Sequence, residues 1–348
     1  MNEIMRHDTE RLCEENAGLF SSMDGSTVLV TGATGLIGGA VIHALLRSGE
    51  GRPDGVKVVA AVRNMDKAER LFAGAPRKRL ELLKADITER ISTDRDIDYI
   101  IHGASMTSSR AFAQTPADVI FTNIDGTRSV LELAREKKAK GVVLLSTMEV
   151  YGAPQTDGKI TEIHSSDLDT MAPRSSYPES KRLCEALCAA YCSQYKVPAK
   201  VVRLTQTFGP GTAYDDGRVF AQFARCAIEK QDIVLRTRGE TRRNYLYTAD
   251  AVTAILTVLL RGEPGQAYNA ANEDTYCSIY EMARMYADII AGGEIAVRVE
   301  EQDISKFGYA PTLHMNLDTS KLRALGWRPV YGMEEMLRRL CASMSADK

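Results

Sequence analysis

The stretch Thr27-Val28-Leu29-Val30-Thr31-Gly32-Ala33-Thr34-Gly35-Leu36-Ile37-Gly38-Gly39 constrains this chain more than any other. Its β-branched and aliphatic opening suits a strand buried on both faces. Glycines follow at positions 32, 35 and 38, and an apolar helical pattern then runs through Val41, Ile42, Leu45 and Leu46. Strand, glycine turn and helix in that order bring a pyrophosphate to a helix N-terminus. Gly32 suits the tight turn, Gly35 a close approach of phosphate to backbone, and Gly38 the packing of helix on strand. The spacing is Gly-x-x-Gly-x-x-Gly rather than Gly-x-Gly-x-x-Gly.

Further segments repeat the alternation of strand and helix. Strands are expected at Val56–Val62, Leu80–Leu83, Ile97–Ile101, Val142–Thr147 and Lys200–Leu204, with helices after Pro116 and from about Tyr177. Such alternation predicts an α/β fold: a Rossmann-type doubly wound parallel sheet with a smaller C-terminal α/β substrate lobe. The expected division is a helical lead-in over 1–25, in which Leu12, Ala17, Leu19 and Phe20 cap the domain or reach a partner subunit. A dinucleotide-binding domain follows over 26–205, joined by segments returning from 245–272, and then a substrate lobe over 206–348. Two more helices are expected from about Ser278 and Met333, and Asp216 is expected to open a helix.

The 348 residues carry a formal net charge of -2 and show no basic stripe, so nucleic acid is not an expected partner. Apolar runs are too short to span a bilayer, and the charged N-terminus does not suit a secretion signal. Seven cysteines without a Cys-x-x-Cys pair fit reduced thiols, and a cytoplasmic location is expected. Cys184, Cys188 and Cys192 form one helical stripe without a histidine, which reads as core rather than metal site; no metal is expected.

Chemistry concentrates at two strand ends. Tyr177 and Lys181 stand four apart and share a helical face. A neighbouring ammonium favours phenolate over phenol, so Lys181 is expected to lower the Tyr177 pKa toward that of a working base. Ser146 and Thr147 end the fifth strand, where a hydroxyl can hold a reacting alcohol or carbonyl. For a diphosphate, guanidinium forks are the natural partners, and Arg218 and Arg243 are the candidates.

These motifs together resemble the extended short-chain dehydrogenase/reductase superfamily, in its nucleotide-sugar epimerase, dehydratase and decarboxylase branch. The matching segments are Thr31–Gly38, Asn123-Ile-Asp-Gly-Thr127, Ser146-Thr-Met-Glu-Val-Tyr-Gly152 and Tyr177-Pro-Glu-Ser-Lys181. Later matches are Arg203–Gly211, Arg242–Asp250 and Leu325-Gly-Trp-Arg-Pro329. The resemblance implies a nicotinamide cofactor that takes a hydride from a sugar carbon, a nucleotide-diphosphate sugar as substrate, and a homodimer built on the two helices around Asn123–Lys138 and Tyr177–Tyr195. Implied cofactor contacts are Gly32, Thr34, Gly35, Leu36, Ile37, Gly38, Arg63, Asp86, Ile87, Gly103, Ala104, Asn123 and Ser146, with Tyr177 and Lys181. Implied substrate contacts are Thr107, Gln206, Arg218 and Arg243; the usual Asn of the sixth-strand loop is Gln206 here. Thr147, Glu149, Tyr177 and Lys181 are the implied catalytic set. Glu149 fits a base near C5, and Met148 stands where dehydratases carry an acid. Asp216-Gly-Arg-Val and the stretch from Tyr177 to Glu185 resemble UDP-glucuronate decarboxylases; a 4-epimerase is the neighbouring reading. Arg63 suits the 2′-phosphate of NADP, whereas hydride recycling in this branch suits NAD. A reductase of small carbonyl compounds and a non-catalytic cofactor-binding protein are the rival readings.

Overall fold

The computed structural model describes residues 1–107, 109–302 and 312–346. In chain order the strands are β1 (Thr27–Thr31), β2 (Lys57–Val62), β3 (Leu80–Lys84), β4 (Tyr99–His102), β5 (Gly141–Thr147), β6 (Ala199–Leu204) and β7 (Gln206–Phe208). They continue with β8 (Ile233–Leu235), β9 (Arg242–Tyr247), β10 (Ala267–Ala270), β11 (Asn272–Ser278), β12 (Val297–Val299) and β13 (His314–Met315). The helices are α1 (Glu3–Glu15), α2 (Ala17–Ser21), α3 (Leu36–Ser48), α4 (Met65–Leu71), α5 (Ser109–Gln114) and α6 (Pro116–Lys137). After them come α7 (Ser176–Tyr195), α8 (Val219–Glu229), α9 (Thr248–Arg261), α10 (Ile279–Met285), α11 (Ser320–Ala324) and α12 (Met333–Ala346).

Seven strands form one parallel sheet in the order β10-β6-β5-β4-β1-β2-β3. Strand alternation explains why these segments read as unbroken apolar runs. Val28 and Val30 join the core beneath α3 and α9, while Leu29 between them joins the core beneath α6 and α7. Each such fully buried side chain stabilises the fold by about 1.5–3 kcal/mol. The order reverses between β1 and β4, which opens a crevice beyond their carboxyl ends.

A second, smaller sheet is built on β9, which pairs antiparallel with β11 and parallel with β7 and β13. Arg218 precedes α8 rather than lying within it. The carboxylate of Asp216 accepts from the Arg218 backbone N–H at 2.9 Å, and this turn delays the helix to Val219. α10 begins after Ser278 because Ser278 and Glu281 cap each other's backbone N–H groups.

The N-terminal segment is integral to the body. Leu12, Leu19 and Phe20 are buried in the main core, while Ala17 is exposed. α1 lies against α3, α9 and α12. Asp8, buried in α1, accepts hydrogen bonds from the Tyr247 hydroxyl at the end of β9 and from Arg339 of α12. Among the described residues no helix is long and apolar enough to cross a membrane.

Candidate active site

At the β1 end, Gly32 adopts φ +68°, and a Cβ there would lie 2.6 Å from the carbonyl carbon of Gly103 and 2.7 Å from the Ala104 nitrogen. The β1 and β4 ends therefore touch only because position 32 has no side chain. A Cβ at Gly38 would sit 2.3 Å from the Gly32 carbonyl oxygen, so this glycine sets the approach of α3 to the turn. Gly35 is the exposed N-cap of α3 and no side chain caps that end. The first N–H groups of α3, at Leu36, Ile37 and Gly38, thus have no side-chain acceptor at the crevice, and Thr34 lies half-buried beside them. This cradle of backbone N–H groups beside the exposed Gly35 fits a dinucleotide diphosphate.

His102 secures the crevice floor. Its Nδ1 lies 2.7 Å from Thr31 Oγ1 and its Nε2 3.3 Å from Thr127 Oγ1, and the Ala104 N–H donates to Thr31 Oγ1 at 3.2 Å. Burial, with the Lys181 charge acting the same way, pushes His102 down to about 3, so the ring is neutral and bridges β1, β4 and α6.

The remaining expected cofactor contacts separate into two groups. Arg63 and Asp86 are exposed at the ends of β2 and β3. Asp86 is held below its usual range first by the backbone and hydroxyl of Thr88, with the Arg63 charge adding to this. Ile87, Asn123 and Ser146 are engaged by protein. Ile87 packs where a Cβ on Gly126 would stand, 2.7 Å from its Cδ1. The Asn123 amide donates to Ser180 at 2.9 Å and accepts from Ser105 at 2.6 Å. Ser146 donates to Glu185, whose carboxylate also receives the guanidinium of Arg203. These two side chains tie α6, α7, β5 and β6 together.

Tyr177 and Lys181 lie in the first turns of α7, both buried. The Thr147 hydroxyl is near enough to the Tyr177 phenol to favour its anion, so the end of β5 and the start of α7 converge. The Lys181 ammonium donates to the Leu145 carbonyl at 3.0 Å, and burial lowers its pKa. The expected lowering of Tyr177 by Lys181 is not the balance this geometry sets. Burial pushes the phenol up, the Glu149 carboxylate adds to that, and the opposing influences come from Thr147 and Arg174. The electrostatic reason is that Lys181 points to a carbonyl while a carboxylate and a guanidinium flank the ring.

Glu149 is the second residue of the short 3-10 turn Met148–Tyr151 and pairs with Arg174 at 2.8 Å. Met148 is buried, packs with Val150, Ile160 and Met315, and accepts a hydrogen bond from Thr205 on its sulfur. That position faces core and supplies no acid. Sequence reasoning missed Arg174 and Phe112. Phe112 stacks on Tyr177 with ring centres 4.5 Å apart. Arg174 lies in a 3-10 turn, where no helical period flags it; its only sequence signal is a charge three residues before the tyrosine.

The expected substrate contacts are dispersed. Thr107 is exposed after β4, and Gln206 is half-buried opposite Tyr245. Arg218 forks onto Asp216 and lies over Phe220. Arg243 on β9 has a buried Nε with no hydrogen-bond partner among the described residues, a donor placed to receive an anion.

A family profile described as the NAD dependent epimerase/dehydratase family matches residues 28–271. UDP-glucuronic acid decarboxylase 1 of Xenopus tropicalis is 30% identical over 329 residues, 92% of this chain and 72% of that protein. UDP-glucuronic acid decarboxylase 6 of Arabidopsis thaliana is 28% identical over 311 residues, 89% of this chain and 86% of that protein. Among solved structures, a UDP-glucose 4-epimerase of Thermotoga maritima with UDP-glucose superposes with TM-score 0.75 at 19% identity, covering 92% of this chain and 99% of that one. At that identity the likeness concerns the fold.

Proposed function

The chain belongs to the NAD dependent epimerase/dehydratase family, and from that premise we propose that it oxidises C4 of a nucleotide sugar and decarboxylates UDP-glucuronate. The observation that carries this reading is the convergence of Thr147, Tyr177 and Glu149 at the carboxyl end of β5, with Lys181 one turn behind.

The bound nicotinamide supplies a hydride acceptor, and its oxidised, positively charged ring favours the phenolate. Tyr177 takes the C4 hydroxyl proton, and Thr147 orients the phenol. Lys181 keeps α7 on the β5 end through its bond to the Leu145 carbonyl and so holds Tyr177, one turn before it, in place. Once C4 is a ketone, the C6 carboxylate belongs to a β-keto acid: it leaves as carbon dioxide, the C5–C6 electron pair passes to the C4 oxygen as an enolate, and a proton taken up at C5 completes the step, with no acid needed at position 148. Met148, turned into the core, speaks against a 4,6-dehydratase. Arg243, with its buried unpartnered Nε, is the proposed diphosphate anchor; Arg218 joins it by exchanging Asp216 for phosphate.

NAD is the proposed cofactor. Arg63, exposed at the β2 end, is the one feature that favours NADP, and comparing the two dissociation constants decides between them. We further propose a homodimer across α6 and α7, which expose Phe121 and Leu183, in a reducing, cytoplasmic setting that suits seven free cysteines. A monomer by light scattering overturns the dimer.

The test is turnover of UDP-glucuronate, UDP-glucose and dTDP- and CDP-sugars followed by mass spectrometry. Loss of carbon dioxide supports decarboxylation, and unchanged mass with a new epimer replaces it with 4-epimerisation. Tyr177→Phe is expected to lower turnover by roughly 10²–10⁴-fold with NAD affinity retained; full activity in that variant overturns the enzymatic reading.

A further inference from the structure

Arg174 meets two parts of the site at once. Its Nη2 donates to Glu149 at 2.8 Å, and its guanidinium carbon lies 4.7 Å from the centre of the Phe112 ring. Phe112 in turn stacks on Tyr177 with planes 15° apart. Contact with the ring and the pairing with Glu149 together restrict the guanidinium. Glu149 engages one edge of the fork; the side chain of Arg174 is still 31% exposed, and that of Glu149 29%. A cationic fork with N–H groups that have no partner among the described residues therefore borders the phenol.

A sugar with its C4 hydroxyl at Tyr177 carries its C5 substituent one carbon away. That group must meet what flanks the phenol, while Arg218 and Arg243 lie on the loop before α8 and on β9. A carboxylate there accepts two parallel charge-assisted bonds from a guanidinium, whereas a neutral hydroxymethyl group offers one weaker contact. We infer that Arg174 is a specificity-determining residue that selects a hexuronate over a neutral hexose, holding the sugar carboxylate with the N–H groups that Glu149 leaves free. The inference rests on the reading that Tyr177 faces C4.

The experiment measures dissociation constants of UDP-glucuronate and UDP-glucose by calorimetry on the NAD-loaded protein and on Arg174→Gln and Arg174→Lys. Wild type is expected to prefer UDP-glucuronate. Arg174→Gln is expected to weaken UDP-glucuronate about 10- to 100-fold, as loss of a charged hydrogen-bonding pair does, and UDP-glucose by less than about threefold. Arg174→Lys keeps the charge without the fork and is expected to recover part of the loss. Equal weakening of both ligands overturns the inference and makes Arg174 a prop for Glu149 and Phe112. No weakening of either, or a wild type that prefers UDP-glucose, also overturns it. Wild type that binds NAD but neither sugar nucleotide overturns the proposed function itself, an outcome distinct from the other three. Melting curves and NAD affinity check folding, and Arg174→Lys carries the test if the glutamine variant does not fold.

Discussion

At the scale of single residues, the Tyr177 phenol is a group pulled in two directions. Burial and the Glu149 carboxylate disfavour its anion, and the Thr147 hydroxyl and Arg174 favour it. The sign of each substitution follows. Thr147→Val removes a stabilising hydrogen bond to the phenolate, so the acid limb of the pH–rate profile moves to higher pH. Glu149→Gln removes a repelling charge, so the same limb moves to lower pH. The measurement is single-turnover hydride transfer, read as reduced-nicotinamide absorbance, which isolates the first step from any later role of Glu149. Shifts in the same direction for both variants would mean that the observed limb belongs to another group. The tyrosine and lysine were legible from their four-residue spacing. The pairing of Glu149 with Arg174 was not, because it joins two 3-10 turns 25 residues apart.

At the scale of elements, α1 links parts that the glycine motif does not reach. Met5 stands 3.3–3.5 Å from where a Cβ on Gly211 would be, beside Leu36 at the start of α3, and Asn2 donates to Ser343 of α12. Asp8 is the centre of this contact. Removing it leaves the buried Tyr247 hydroxyl without its acceptor and Arg339 with Glu335 alone, so Asp8→Ala is expected to cost about 2–3 kcal/mol, against about 1 kcal/mol for Tyr247→Phe. Urea denaturation of the two variants measures the difference, and equal small losses would show that α1 is held by Leu12 and its neighbours instead. The strands themselves were readable because Val28, Leu29 and Val30 feed opposite cores, which demands an unbroken apolar run. The place of α1 was not, since its contacts lie up to 341 residues away and leave no periodic trace. Asn123 and Ser146 show the same limit: motif position brought them to the crevice rim, but their side chains were already committed to Ser180 and Glu185.

At the scale of the whole molecule, the sheet's central seam is held by a neutral histidine, and this ties global stability to pH. His102 is pushed down to about 3 from 6.5, so the native state binds fewer protons than the unfolded chain across that interval. Its contribution is full above pH 6.5 and is lost as the pH falls toward 3. Asp250 works in the opposite sense. Burial raises it to about 7 while the Val330 and Tyr331 N–H groups partly offset this, so its contribution is present below about 3.8 and lost as the pH rises through 7. The two slopes oppose one another between these limits, and total stability is expected to vary less with pH than either site alone. His102→Asn separates them. At pH 8 the variant melts below wild type, since Asn reaches Thr31 and Thr127 less well. As the pH falls below 6.5 the gap narrows, because only wild type carries a buried group that must be charged on unfolding to gain its proton. Calorimetric melts from pH 8 to pH 4 measure this gap. A gap constant across that range would mean that His102 binds its proton equally in the folded and unfolded chain, and a gap that widens as the pH falls would mean that β1, β4 and α6 meet around a buried imidazolium instead of a neutral bridge.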